Sequence, residues 1–186
     1  MSRTNFEKQK LSVFLKSLGS QAGAPGGGAA AALAGAVGCA MIEMVSRLND
    51  AKLHKNSGNA QRAVLIRGKF QRLMSEDAKA FQKIQKIYKF RKLKKSAWQK
   101  ALKSGATVPL AMAKMSASAG PLVTAEKRRT SPWLESDRKE AAIFLRTALD
   151  AAELNVKVNL KEISDRTFCK NAQREMKKWR RKLQRS

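Results

Sequence analysis

The sequence predicts an all-α protein: one helical bundle, in a single domain that spans residues 1–186. Apolar residues recur at three- and four-residue spacing along most of the chain, which is the helical period. Glycine and proline are concentrated in a few short segments, where they end one helix before the next begins. The hydrophobic fraction of 43% over 186 residues is sufficient for a core without disulfides or metal. The ends, residues 1–8 and 180–186, are predicted to be flexible.

Each helix has its own signal. Leu11, Phe14, Leu15 and Leu18 form the stripe of the first helix, and the glycine-rich segment 23–28 separates it from the second. Ser136 or Asp137 is predicted to cap the fifth helix. The alternating segment 155–160 resembles a strand, but a lone strand has no pairing partner, so helix is favoured. The helices are predicted at residues 11–18, 29–48, 60–89, 96–119 and 136–154, and at the basic C-terminal end.

The most apolar stretch, residues 26–42, consists mainly of alanine and glycine. Its 17 residues are at the lower limit for crossing a membrane, and alanine adds little transfer energy. A buried helix whose small side chains allow close packing is therefore favoured. A membrane or scaffold helix is the third-ranked alternative, and no membrane partner is expected.

Charge and cysteine content limit the classes of function. Lys and Arg number 39 against 14 Asp and Glu, which gives +25, and residues 51–130 carry 17 of that excess. The excess predicts a polyanionic partner, which leaves nucleic acid, membrane and acidic small molecules open. Cys39 and Cys169 lack the spacing of metal ligands and indicate a reducing, cytoplasmic location. With His54 as the sole histidine, no metal site is predicted and a Ser-His-Asp triad is disfavoured.

Asp77 is the residue that most clearly breaks the apolar pattern. It lies four residues after Leu73 and four before Phe81, so it projects from the apolar stripe of the third helix. Desolvation there would raise its pKa and neighbouring lysines would lower it, as in a general acid or base. The alternatives from the pattern alone are an ion pair with Arg or Lys between helices and a position at a slightly exposed edge of the stripe.

Two further sets of residues have both a structural and a ligand-binding interpretation. Gly26, Gly27 and Gly28 directly precede a helix, where free N–H groups bind anions. The structural alternative is that the loop only needs unusual backbone angles or tight packing. Asn155 and Asn159 share a helix face, and their amides would pair with ligand nitrogens or with another helix.

The combined motifs resemble a known family. They are Ala24-Pro25-Gly26-Gly27-Gly28-Ala29, Ser75-Glu76-Asp77-Ala78, Val108-Pro109-Leu110, Ser136-Asp137 and Asn155-Val156-Lys157-Val158-Asn159-Leu160. In the same order along the chain, these are similar to the formiminotransferase-cyclodeaminase C-terminal family, which includes stand-alone methenyltetrahydrofolate cyclohydrolases. The resemblance spans roughly residues 11–176.

The resemblance implies a dimeric helical bundle that acts on the one-carbon bridge between N5 and N10 of tetrahydrofolate, with no cofactor beyond the folate. Asp77 matches the proposed catalytic aspartate. Gly26, Gly27, Gly28, Asn155, Asn159 and Asp137 become substrate-binding candidates, and Lys52 would attract the glutamate or polyglutamate tail. Because no formiminotransferase domain is attached, cyclohydrolase is favoured over cyclodeaminase.

The chain departs from the family pattern at three places. Ala29 replaces a small hydroxyl residue, Ala51-Lys52 and Lys55 replace Gly-Lys and tyrosine, and Thr130-Ser131-Pro132-Trp133 replaces a Gly-Asn-x-Asn element.

The runner-up function is a non-catalytic protein of this fold that binds nucleic acid through the basic segment 51–130.

Overall fold

Six helices form the part of the chain that the computed structural model describes, residues 5–185. They are α1 (Leu11–Leu18), α2 (Gly27–Leu53), α3 (Asn59–Tyr88), α4 (Lys95–Lys127), α5 (Glu135–Leu160) and α6 (Arg166–Gln184), with 3₁₀ turns at Phe6–Lys8 and Pro132–Leu134. No strand occurs in the described residues, so the all-α prediction is confirmed, as is helix over 155–160.

The four long helices α2 to α5 run up and down in turn and form the bundle. α2 packs against α3 and α5, α4 packs against the same two helices, and α6 covers α4 and α5. One end of the bundle therefore collects the start of α2, the last third of α3, the first half of α4 and the end of α5. The opposite end collects the end of α2, the start of α3, the second half of α4 and the start of α5. Only residues at the same end of the bundle can therefore contact one another.

Small residues in α2 allow the close packing. Gly35 lies against the ring of Phe70, and a Cβ at that position would be 2.7 Å from its Cδ1 atom. Gly38 lies against Ala141 and Leu145 of α5. By length and composition α2 is the one helix among residues 5–185 that could cross a membrane, but more than half of its most apolar stretch is buried in the bundle.

The predicted helix ends needed several corrections. α2 extends to Leu53 and α5 to Leu160, and α4 continues through Gly120-Pro121 to Lys127. A proline inside a helix costs about 3 kcal/mol, but burial of Leu122 and Val123 on the next turn keeps the helix intact. The N-cap of α5 is Leu134 and not Ser136 or Asp137, which lie in its first turn.

Both predicted flexible ends contain residues with helical structure and packing contacts. Residues 180–184 belong to α6, where Arg180 pairs with Asp150 and Glu153. At the other end Phe6 is buried against Phe14, and its N–H donates to Ser75 Oγ at 3.0 Å. Residues 1–4 and 186 lie outside the described residues. In α1 only Phe14 is buried, so the predicted four-residue stripe is mostly exposed.

Candidate active site

A pocket of about 400 Å³ opens at the end of the bundle where α2 begins. Its volume falls within the usual range of ligand pockets, about 300–1,000 Å³. The glycine turn, α3, α4 and the last turns of α5 all contribute to the wall. Of the sequence-predicted site residues, those in the wall are Gly26, Gly27, Gly28, Asp77, Asn155 and Asn159. The fold thus brings together six residues that are up to 133 positions apart in the sequence.

Asp77 is the carboxylate of this pocket. Its side chain is half-buried on α3 and accepts a hydrogen bond from the backbone N–H of Ala29. Burial raises the pKa of the Asp77 carboxyl above the ordinary value, and the Ala29 N–H opposes that rise. A carboxyl group in this state can take a proton and return it at a pH closer to neutral than an exposed aspartate.

The glycine turn allows α2 to approach this carboxylate. A Cβ on Gly28 would meet three atoms of the Asp77 carboxyl group, the farthest of which, Oδ2, would be 2.6 Å away. Gly26 is the N-cap of α2 and provides no side-chain cap. The first N–H groups of a helix have no partner within the helix, so Asp77 serves as a cap from another helix. The sequence predicts an anion at this helix N-terminus, and the Asp77 carboxylate of the protein itself supplies part of that negative charge.

Asn155 and Asn159 present carbonyl oxygens to the pocket. Their amide nitrogens donate to the backbone oxygens one turn earlier, Asn155 Nδ2 to Ala151 at 3.0 Å and Asn159 Nδ2 to Asn155 at 2.9 Å. These bonds fix both side chains along the helix axis. The two Oδ1 atoms receive no hydrogen bond from residues 5–185 and are available to N–H donors of a ligand.

Several pocket residues were missed by the sequence analysis. Phe81, Ile84, Pro109 and Val158 supply an apolar wall. Gly105 lies beneath Asn159, where a Cβ would be 2.9 Å from Asn159 Oδ1 and 2.7 Å from Ile84 Cδ1. A glycine in mid-helix four residues before a proline was the available signal, because such a residue usually marks a close approach.

Lys52 and Asp137 do not line this pocket within one chain, and their assignment as substrate-binding residues stays a prediction. Lys52 is exposed in the last turn of α2, about 37 Å along the helix from Gly27 at 1.5 Å per residue. Asp137 lies in the first turn of α5, about 27 Å along the helix from Asn155. Both are at the opposite end of the bundle within one chain.

That opposite end holds a buried polar cluster around Glu126, which the sequence analysis did not identify. The Glu126 carboxylate is fully buried and accepts bonds from Ser46 Oγ at 2.9 Å, Asn49 Nδ2 at 2.7 Å and Asn59 Nδ2 at 2.8 Å. Arg129 adds an ion pair at 3.0 Å. With its hydrogen bonds satisfied by protein groups, this carboxylate holds α2, α3 and α4 together.

Comparison with known proteins identifies the family of the chain. The family model described as formiminotransferase-cyclodeaminase matches residues 10–178. The chain belongs to this family. Within residues 5–185, no group of three His, Cys, Asp or Glu side chains is placed to hold a metal ion.

Similar proteins from the formiminotransferase-cyclodeaminase family include full-length and partial matches. The methenyltetrahydrofolate cyclohydrolase of Methylorubrum extorquens is 29% identical over an alignment of 188 positions, which covers 90% of this chain and 87% of the relative. The formimidoyltransferase-cyclodeaminase of Sus scrofa is 30% identical over 171 residues and 85% of this chain, which spans 32% of the relative's length.

A solved structure of the family has nearly the same fold. The formiminotetrahydrofolate cyclodeaminase of Thermotoga maritima superposes with a TM-score of 0.87 at 28% identity, covering 96% of this chain and 91% of the other.

Two of the departures from the family pattern now have a structural context. Ala29 lacks the hydroxyl group, but its backbone N–H reaches Asp77. Thr130 belongs to the polar cluster around Glu126, where its Oγ1 accepts from Asn49 Nδ2 at 3.2 Å and donates to the Glu126 carbonyl oxygen at 2.7 Å. Thr130 therefore has a packing role at the end of the bundle opposite the pocket.

Proposed function

We propose that the chain is a folate one-carbon enzyme that acts on the bridge between N5 and N10, and that methenyltetrahydrofolate hydrolysis is its main reaction. The observation that carries the proposal is the half-buried Asp77 carboxylate, placed in one pocket with the glycine turn and two asparagine oxygens. The proposal is supported by the cyclohydrolase of M. extorquens, which matches over 87% of its own length.

The pocket is suited to a flat, polar ring system. Phe81 and Ile84 offer an apolar wall for its face, and the Oδ1 atoms of Asn155 and Asn159 accept hydrogen bonds from ring and amino N–H groups. The methenyl form of the folate carries a positive charge at the bridge, so the Asp77 carboxylate also attracts the reacting centre.

The hydrolysis proceeds in two steps. Asp77 takes a proton from water while the water oxygen bonds to the bridge carbon, which becomes tetrahedral. The new hydroxyl group then loses its proton to solvent, the bond from carbon to N5 breaks, and Asp77 returns its proton to N5. The products are 10-formyltetrahydrofolate and one released proton. This reaction uses water and the folate alone, with no further cofactor.

Cyclodeamination of 5-formiminotetrahydrofolate is the second candidate, favoured by the close superposition with the T. maritima cyclodeaminase. In that reaction N10 attacks the formimino carbon, and the carboxyl group moves protons from N10 to the departing ammonia. Both reactions pass through a tetrahedral carbon bonded to nitrogen, so Asp77 has the same task in each.

The test compares Asp77→Asn with Glu76→Gln, a matched control because Glu76 is the exposed neighbour on the same helix. Wild-type protein and Glu76→Gln should consume methenyltetrahydrofolate in an absorbance assay, and Asp77→Asn should do so about 10²–10⁴-fold more slowly. Ammonia release from 5-formiminotetrahydrofolate separates the two candidate reactions. The proposal is wrong if neither substrate is turned over, or if Asp77→Asn retains the wild-type rate.

We further infer that two chains form a homodimer through one face of α2 and α5. Large apolar side chains are exposed there, Met44 and Leu48 on α2 and Ile143, Leu154 and Val158 on α5. Val158 is 64% exposed and also lines the pocket, so a second chain on this face would shield the pocket from water.

Solution mass measurements test the dimer. Wild-type protein should have twice the chain mass by sedimentation, and Leu154→Glu should shift it toward the monomer because a charge would be buried at the interface. Leu93→Glu is the control, since Leu93 is 86% exposed in the connection after α3. A monomeric wild type, or the same change in both variants, would contradict the interface.

The proposed function also includes a cytoplasmic location and the binding of mono- or polyglutamylated folate. A thermal-shift screen would detect the folate binding.

A further inference from the structure

The exposed face of α6 carries a row of cations that the proposed reaction does not use. Successive members are three or four residues apart, so they lie on one side of the helix. From first to last the row extends about 22 Å at 1.5 Å per residue. The opposite side, with Ala172 and Met176, is buried. This α6 stripe consists of Lys170, Arg174, Lys177 and Arg181 in the helix and Arg185 at its C-cap.

The α6 stripe is not neutralised by the fold. Neighbouring cations pair with carboxylates, Arg180 with Asp150 and Glu153, and Lys178 with Glu175 at 3.9 Å. Within residues 5–185 none of the five stripe side chains makes such a pair. Like charges one turn apart on a helix repel each other. A polyanion along the helix would remove that repulsion.

A groove beside the stripe widens the basic surface. It has a volume of about 550 Å³ and lies between the end of α5 and α6. Val156, Leu160 and Met176 line its floor, and Lys157 and Lys161 stand on the α5 edge across from Lys177. Lys157 pairs with Glu153 at 2.8 Å, which leaves Lys161 as the cation that α5 adds to the stripe.

We propose that the α6 stripe binds the phosphate backbone of duplex nucleic acid without reading its sequence. A duplex strand presents phosphates in a continuous row, which suits five cations along one helix face. Single-stranded binding sites instead use exposed aromatic rings on which bases stack, and neither the stripe nor the groove has such a ring among its residues. A membrane-binding helix inserts its apolar face into lipid, whereas that face of α6 is buried in the bundle.

This binding surface is separate from the candidate active site. Asn155 and Asn159 face the pocket from one side of α5, and Val156 and Leu160 face the groove from another. Nucleic-acid binding through the α6 stripe therefore neither requires nor excludes folate turnover, and each can fail independently of the other.

The experiment measures binding of a fluorescein-labelled 20-base-pair duplex by anisotropy at several KCl concentrations. The stripe variant combines Lys170→Gln, Arg174→Gln, Lys177→Gln and Arg181→Gln. The control variant removes the same net charge from exposed lysines after Asp77: Lys83→Gln, Lys86→Gln, Lys89→Gln and Lys92→Gln. Because each phosphate contact contributes about −0.9 to the slope of log K against log salt, the stripe variant should lose about 3 to 4 from the slope and more than tenfold in affinity.

The outcomes separate a local site from general attraction. Retention of most of the affinity by the control variant supports the α6 stripe, and equal losses in both variants would overturn it. A single-stranded oligonucleotide that binds more tightly than the duplex would also overturn the proposal. So would stripe-dependent binding to vesicles of phosphatidylcholine with phosphatidylserine that exceeds binding to the duplex. If thermal melting shows the fourfold variant to be unfolded, the double variant Lys170→Gln/Arg174→Gln takes its place, with Lys83→Gln/Lys86→Gln as its control.

Discussion

Gly28 gives the sharpest test of the candidate active site, because a single methyl group would collide with the Asp77 carboxylate. In Gly28→Ala the new Cβ would lie 2.6 Å from Oδ2 and closer still to the other two carboxyl atoms. Non-bonded heavy atoms are at their optimum about 3.5–4.0 Å apart. The carboxylate must therefore withdraw by about 1 Å or more, and it would leave its bond with the Ala29 N–H.

The two consequences of this displacement differ in size. Misplacing a reacting group by 1 Å can reduce the rate by about 10²-fold, so kcat should fall by about that factor. The free energy of unfolding should change little, because the group that yields is the movable end of a side chain. A net loss of about 1 kcal/mol would lower the melting midpoint by about 2–4 °C in a chain of this size.

Gly27→Ala is the matched control, because nothing lies within 4 Å of a Cβ at Gly27. Steady-state kinetics with methenyltetrahydrofolate and thermal melting should be measured on both variants. Gly27→Ala should keep the wild-type kcat, and any contact of the new methyl group with substrate would appear in KM. Wild-type kcat in Gly28→Ala would refute the assigned position of Asp77, as would an equal loss of kcat in both variants.

Variants at Asp77, Asn159 and Glu126 test the pocket and the buried polar cluster. Asp77→Asn should reduce kcat by about 10²–10⁴-fold. Burial raises the folded-state pKa of Asp77, so the stability of the wild type falls as pH rises from 3.8 through that pKa. Asparagine does not titrate, so the melting midpoint of Asp77→Asn should rise relative to that of the wild type over the same pH range. Asn159→Ala should raise KM about 3- to 10-fold through loss of one neutral hydrogen bond. Asn171→Ala, on the exposed face of α6, is the control and should leave KM unchanged. Equal KM values in both variants would exclude a substrate bond to Asn159. Glu126→Ala should lower the free energy of unfolding by about 3–5 kcal/mol in denaturant titrations, since it leaves buried partners unpaired. Glu175→Ala, which removes the exposed pair with Lys178, should cost about 1 kcal/mol or less. Similar losses for the two variants would argue against the Glu126 cluster as a structural link.

The helices were predictable where periodicity is long and uninterrupted. The prediction for α3 differs from the structure by one residue at each end, because its apolar stripe continues over eight turns. Prediction failed at α4, where the local preference of Gly120-Pro121 to end a helix is overcome by burial of the turns that follow. That burial depends on α2 and α5 and cannot be inferred from the segment itself.

The site was predictable residue by residue but not as an arrangement. Asp77, the glycine turn and the two asparagines each break a local pattern, and these residues do meet in one pocket. Lys52 and Asp137 lie at the other end of their helices from this pocket, because a family motif does not say which end of a long helix a residue occupies. Glu126 is the only acidic residue between Asp77 and Glu135, yet its donors Ser46 and Asn59 are 80 and 67 positions away, so its burial had no local signal.

The Asp77 side chain has two functions, one as a hydrogen-bond acceptor for the Ala29 N–H and one in proton transfer. A single substitution can remove one function and keep the other. The first turn of α2 depends on an acceptor from α3, whereas proton transfer depends on a group that ionises. Asparagine would fulfil the first function without the second. A family member that has abandoned the reaction but kept the bundle is therefore expected to carry asparagine at this position, and that single substitution would distinguish inactive paralogues from enzymes in a genome.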